Sequence, residues 1–214
     1  MPDLFEFADV AYVKENFFAL EELCAGRSES PVDVRVLIEA ERLPRPAYTL
    51  DDGSEWFPAG YFDLLDRSGG LQQQRDAFRT RILAAGGTSE DDESGWLSYL
   101  AGEFFWCLLD ASPENMMVKE RSCTAIESLL ADPHPDQAAW QARLRREVWI
   151  LDSIERPFAP YYDRGGRLGA APSRDRLIEE PRRLHPEVFE APSQRLHEDD
   201  AQRDPRPDAE LSRT

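Results

Sequence analysis

Ser30-Pro31-Val32-Asp33-Val34-Arg35-Val36-Leu37-Ile38-Glu39, closed by Leu43-Pro44-Arg45-Pro46, is the stretch on which the fold turns. A capping serine, a proline at the first helical position and an acid at the third predict a helix start there. Val34, Leu37 and Ile38 then repeat at helical spacing and give that helix one apolar stripe. Ahead of it, residues 20–25 read as a helix stopped by Gly26. Behind it, two short aromatic runs, 47–50 and 55–57, are joined through Asp51-Asp52-Gly53-Ser54, whose Asp-Gly pair is a hairpin signal. With a short helix at 9–16 capped by Asp9, these elements predict a winged helix-turn-helix over residues 8–66.

The charge of that segment runs against nucleic acid. Residues 1–66 hold Lys14, Arg27, Arg35, Arg42 and Arg45 as their only basic groups, among fifteen Asp and Glu. Neutralising phosphates with clustered Lys and Arg supplies most non-specific affinity for DNA, and no such cluster exists here. The whole chain of 214 residues carries a formal net charge of −17, which argues against polyanions and anionic membranes as partners. No apolar run approaches a membrane span. The start, Met1-Pro2-Asp3-Leu4, lacks the basic and apolar regions of a signal peptide. Cys24, Cys107 and Cys123 are odd in number and widely spaced, as reduced thiols in a cytosol are. The expectation is a cytoplasmic protein.

Beyond the break at Ser68-Gly69-Gly70, the pattern predicts helices at 71–85, 95–110, 113–131 and 136–156, with residues 88–94 as an acidic linker. Residues 95–110 are apolar nearly all round, which reads as a central buried helix. Ser112-Pro113-Glu114 repeats the cap, proline, acid signature. Trp140, Leu144, Val148, Leu151 and Ile154 mark the most regular amphipathic stripe. Residues 157–172 read as irregular. Ser173 is placed to cap a last helix near 174–180, limited by Pro181. From 191 to 214 the chain has almost no large apolar residue and reads as a disordered tail. The fold class is therefore mainly α: the winged module with its small β-hairpin, then a helical bundle over 71–185.

Candidate chemistry is sparse. His134, His185 and His197 are isolated, so no metal site and no cofactor is expected. Arg164-Gly165-Gly166-Arg167-Leu168-Gly169 is no dinucleotide fingerprint, since no strand precedes it. Cys107 and Cys123 fall on core stripes, where a thiol is usually inert. Glu103, between Tyr99 and Trp106, either points outward or is an inward carboxylate suited to general acid or base work. Glu114, Asn115, Lys119 and Glu120 at a helix start read as capping and surface solvation. The strongest site candidate is the Arg-rich stretch: Arg156, then Tyr162-Asp163-Arg164, then Arg174-Asp175-Arg176. Arg forks bind carboxylate and phosphate in a bidentate way. Glu103, Asp163 and Asp175 stand as candidate catalytic groups, and Tyr99, Trp106, Arg156, Tyr162, Arg164, Arg174 and Arg176 as candidate ligand contacts. The competing expectation is an Arg–Asp network that pins a long loop onto the bundle.

Several separate motifs carry a family resemblance: residues 18–24 with Leu43-Pro44-Arg45-Pro46-Ala47-Tyr48, Trp96-Leu97-Ser98-Tyr99-Leu100, Ser112-Pro113-Glu114-Asn115, residues 155–160, and Ser173-Arg174-Asp175-Arg176-Leu177-Ile178. Together they resemble, over roughly residues 8–185, a bacterial family of unknown function labelled "natural product biosynthesis protein". That resemblance implies a place in secondary-metabolite gene clusters and carries no catalytic residue with it. The first segment alone also resembles excisionase and MerR-type modules, in which Leu-Pro-x-Pro precedes the wing. It departs from those DNA binders. Arg35 and Arg42 lie among Asp33, Glu39 and Glu41, and the hairpin from 47 to 57 has no basic residue. The expected function is an accessory or binding protein of a biosynthetic pathway, working on a protein or carrier-protein partner or an anionic small molecule. Two alternatives stand beside it: an enzyme acting on an anionic or carrier-bound intermediate, and a transcriptional regulator.

Overall fold

The computed structural model describes residues 7–157, 161–162, 168–169 and 172–189. They form a mainly helical protein with one small three-stranded antiparallel sheet. The order is α1 (Phe7–Asn16), β1 (Phe18–Ala19), α2 (Leu20–Leu23), α3 (Pro31–Glu39), β2 (Tyr48–Thr49), β3 (Glu55–Phe57), α4 (Asp63–Ser68), α5 (Gln74–Ala84), α6 (Ser89–Leu100), α7 (Pro113–Ala131) and α8 (Ala138–Ile154). The hairpin forms as its Asp-Gly turn predicts, with Tyr48 opposite Trp56. A third strand joins it: Phe18 pairs with Phe57, so the sheet runs β1-β3-β2.

Both serine caps act as the sequence predicts. The Ser30 hydroxyl accepts from the Asp33 amide at the start of α3, and the Ser112 hydroxyl accepts from the Asn115 amide at the start of α7. The expectation of one helix over 95–110 fails. Thr88 caps α6 through a reciprocal pair with Asp91, so the stretch expected as a linker is the first turn of a helix. That helix ends at Leu100. Gly102 then takes φ +74°, and residues 101–106 turn rather than continue. The apolar residues of 95–110 are thus shared between a helix face and a loop; Leu97 and Leu109 point to solvent. At the other starts, Asp9 lies inside α1 rather than capping it, and α8 begins at Ala138, two residues after Asp136.

The C-terminal part departs further. Residues 161–162 and 168–169, expected as irregular, pair as two short antiparallel strands, β4 (Tyr161–Tyr162) and β5 (Leu168–Gly169). The last helix begins as α9 (Pro172–Arg174), widens into a π turn over Asp175–Glu179 and continues as α10 (Glu180–Leu184), with α11 (Pro186–Phe189) behind it. Ser173 therefore caps nothing, and Pro181 does not end the helix. It occupies an early position of α10, just past the π turn. The tail expected over 191–214 lies outside the described residues.

One apolar core runs unbroken across residues 66–71. Leu20, Val34, Leu43 and Phe57 from the first segment pack with Phe78, Ile82, Tyr99, Phe105 and Met116 from the helices that follow. Tyr61 sits at its centre, edge-on to Phe57, Phe62 and Phe105. A second cluster joins α7, α8 and the C-terminal helices through Ile126, Leu144, Val148, Leu151, Ile178 and Val188. α7 serves both, giving Met116 and Met117 to the first and Ile126 and Leu129 to the second. Among the described residues, no helix is long and apolar enough to cross a membrane.

Candidate functional site

The end of α3 shapes one wall of an open surface groove. Arg42 N–H donates to the Leu37 carbonyl at 2.8 Å and Glu41 N–H to the Ile38 carbonyl at 3.0 Å, the paired bonds of a Schellman stop. Glycine is usual at the residue that must turn left-handed there; this chain has Glu41, with φ 53°. The chain then dives inward at Leu43. The Pro44 carbonyl accepts from the buried Tyr61 hydroxyl at 2.7 Å, and Arg45 N–H donates to the Leu100 carbonyl at 2.8 Å. A Cβ at Gly102 would lie 2.7 Å from the Arg45 carbonyl oxygen, so only glycine lets the two segments meet this closely. The Leu-Pro-x-Pro turn is thereby locked to the end of α6.

Between these walls lies an open groove of about 600 Å³. Tyr48, Leu97, Leu100 and Trp106 form its apolar surface, and Glu41, Arg45 and Glu103 its polar edge. A neighbouring depression of about 440 Å³ shares Ile38, Glu41, Arg45, Pro46 and Ala101 with it and adds Glu39, Thr49 and Glu55. The groove thus continues along the flank of α3 towards the hairpin.

The residues singled out from the sequence are not gathered into one site. Glu103, half-buried, and Trp106 line the groove. Tyr99 is instead a core residue whose hydroxyl is 3.5 Å from Gln74 Nε2, and burial raises its pKa above the ordinary phenol value. Arg156 donates through Nε to the Phe105 carbonyl at 3.3 Å, and its guanidinium lies 4.5 Å over the Phe17 ring. Arg174 donates to Asp152 at 2.9 Å, to Glu179 at 3.3 Å and to the Arg156 carbonyl at 3.4 Å. Arg176 reaches Glu127 on α7 at 2.6 Å. Asp175 is exposed at the head of the π turn. Burial would raise Asp152, but hydrogen bonds from Arg182 and Arg174 outweigh it and hold that carboxyl below its usual range. Tyr162 lies on β4, and Asp163 and Arg164 fall outside the described residues.

Lys119, read from sequence as part of a solvated cap, lies inside the molecule. Its Nζ pairs with the Glu155 carboxylate, which is only 2% exposed, and donates to Ser173 Oγ at 2.9 Å. Ser173 Oγ in turn donates to Glu155 Oε1 at 2.6 Å. Glu155 Oε2 is buried and has no hydrogen-bond partner among the described residues. Burial pushes the neighbouring Cys107 and Cys123 thiols up to about 11, against the pull of the Lys119 ammonium, so both are protonated at neutral pH and unsuited to nucleophilic work. This buried triad joins α7, the end of α8 and the head of α9, and its only legible sign was that the chain has just two lysines. Glu41, Arg45 and Leu97 stood out in the sequence only as parts of separate motifs, because the groove they share arises only when the ends of α3 and α6 meet. Among the described residues, no group of three or more His, Cys, Asp or Glu is placed to hold a metal ion.

A family of unknown function, DUF6058, matches residues 55–186, and the chain belongs to that family. No curated protein and no solved structure matches the chain.

Proposed function

We propose that this member of DUF6058 is an accessory protein that works by holding a protein partner, with residues 8–66 serving as a winged helix-turn-helix turned to protein recognition. The reading is supported by the α2–α3 pair set ahead of the β2–β3 hairpin. One observation carries it. The outer face of α3 presents Val32, 67% exposed, and Val36, 57% exposed. The single basic residue of that helix, Arg35, is tied to Glu21 at 2.9 Å and to Glu55 at 3.0 Å. A helix that reads DNA needs donors for base edges and phosphates; this one offers apolar side chains and acids. Exposed valines on a charged rim are what a protein contact uses.

The alternatives draw less support. A site for an anionic or carrier-bound intermediate would need available guanidinium groups, yet Arg156, Arg174 and Arg176 already have protein acceptors. A regulator would need a cationic face on a chain of net charge −17. The resemblance in the sequence favours a cytosolic secondary-metabolite pathway as the setting.

A photo-crosslinking residue placed at Val36, with Trp149 on α8 as the control, tests the reading in cells that express the chain from its native locus. Trp149 is 68% exposed and equally apolar. The reading expects a protein adduct of discrete mass at position 36, absent at position 149 and indifferent to nuclease. Adducts that nuclease removes, or none at position 36, would count against it.

A further inference from the structure

We infer that the groove between the ends of α3 and α6 receives an extended segment of the partner protein in which basic and apolar side chains occur together. This rests on the reading of residues 8–66 as a protein-binding module and names the chemistry of what is bound.

Three observations lead there. The first is shape. The groove is open, and it adjoins a second depression through five shared residues, so it is a channel across the surface rather than a closed chamber. An extended peptide fits such a channel better than a compact small molecule, which is usually buried on most sides. The second is the apolar surface: Leu97, 67% exposed, stands at the rim, and Tyr48, Leu100 and Trp106 line the depression. A rim leucine beside a tryptophan gives an apolar anchor somewhere to go.

The third is charge. Glu39, Glu41, Glu55 and Glu103 line the two depressions; Glu55 is paired with Arg35 at 3.0 Å, and Arg45 is the one cation in their described lining. With Arg35 counted beside Arg45, four acids still face two cations, and the chain's net charge has the same sign. A basic segment is steered towards such a channel and an acidic one is repelled. Glu41 adds weight. It holds a left-handed backbone where glycine would be relaxed, and it lines both depressions.

Selection of random linear peptides against the immobilised full chain tests this directly. Enriched peptides are expected to combine Arg or Lys with Leu, Ile or Phe. They should bind the Leu97→Asp and Glu41→Lys proteins roughly tenfold more weakly. Asp136→Lys makes the same charge change in the exposed turn between α7 and α8, and should leave binding within about twofold. Both tested side chains are exposed, so neither change removes a core contact. Acid-rich or charge-indifferent peptides, no enrichment, or basic peptides weakened equally by Asp136→Lys would overturn the inference. In any of those cases a protein adduct at Val36 would still leave the binding module standing, and only the groove and its occupant would fall.

Discussion

A methyl group added at Gly102 would stand 2.7 Å from the Arg45 carbonyl oxygen and 3.1 Å from that of Pro46, on a backbone already at φ +74°. Two costs coincide there, a left-handed residue that is no longer glycine and a backbone that must retreat. Gly102→Ala is therefore expected to lower unfolding stability by about 3 kcal/mol. Gly26→Ala shares the left-handed φ, but nothing lies within 4 Å of its Cβ, so about 1 kcal/mol is expected by denaturant titration. Equal losses would mean that the close approach does not hold the groove. The buried Lys119–Glu155 pair makes a second prediction at this scale. Lys119→Met leaves an uncompensated carboxylate in the interior and should cost about 3–5 kcal/mol, whereas the double change with Glu155→Leu should recover most of that loss. A double variant no more stable than the single one would show that the pair matters for more than its own neutrality.

Two helix starts were legible because a cap is a local event, although Asp9, Asp136 and Ser173 cap no helix and the equally local Thr88 box of α6 was missed. Ser30 and Ser112 announce α3 and α7 within four residues of sequence, and both accept the bond that the pattern demands. Where helices end was less legible. The apolar run over 95–110 reads as one helix because nothing nearby in sequence reveals that Arg45 and Pro46 approach Gly102. Lys119 was misread for the same reason: its partners, Glu155 and Ser173, lie 36 and 54 residues away. The Arg-rich stretch was visible as chemistry but not as geometry, since only tertiary contacts reveal Asp152 and Glu127 as its acceptors. At this scale Tyr61 makes the clearest test. Its hydroxyl fixes the Leu-Pro-x-Pro turn through the Pro44 carbonyl, so Tyr61→Phe should cost about 1–2 kcal/mol, the penalty of a buried carbonyl left unpaired, with the packing intact. A neutral result would place the hold on that turn elsewhere.

For the molecule as a whole, charge sets the pH response. Hydrogen bonds from Arg27 and Arg81 hold the Asp66 and Glu114 carboxyls below their ordinary values, and Asp152 is lowered as well. Groups depressed on folding stabilise the native state above their unfolded pKa values, near 4, and that contribution is lost as pH falls through the folded ones. Glu120 is shifted the other way, raised by burial and by Asp91, so it favours folding as it takes up a proton. Self-repulsion at a net charge of −17 also relaxes as pH approaches the pI near 4.6. Thermal unfolding is accordingly expected to shift upward between pH 8 and about 5 and to collapse below about 4; a midpoint that falls steadily from neutral pH would contradict this balance.

On the function proposed above, the same sign would also govern recognition. Under that proposal the first segment is a winged module that binds protein and not DNA, with Arg35 already paired and Val32 and Val36 facing out. Fluorescence anisotropy of a labelled duplex from upstream of its own gene, titrated with the full chain at rising salt, tests that most directly. No saturable binding is expected, even at low salt. Binding that saturates and weakens linearly in log–log salt with a slope of several counterions would contradict it and make this chain a reader of DNA.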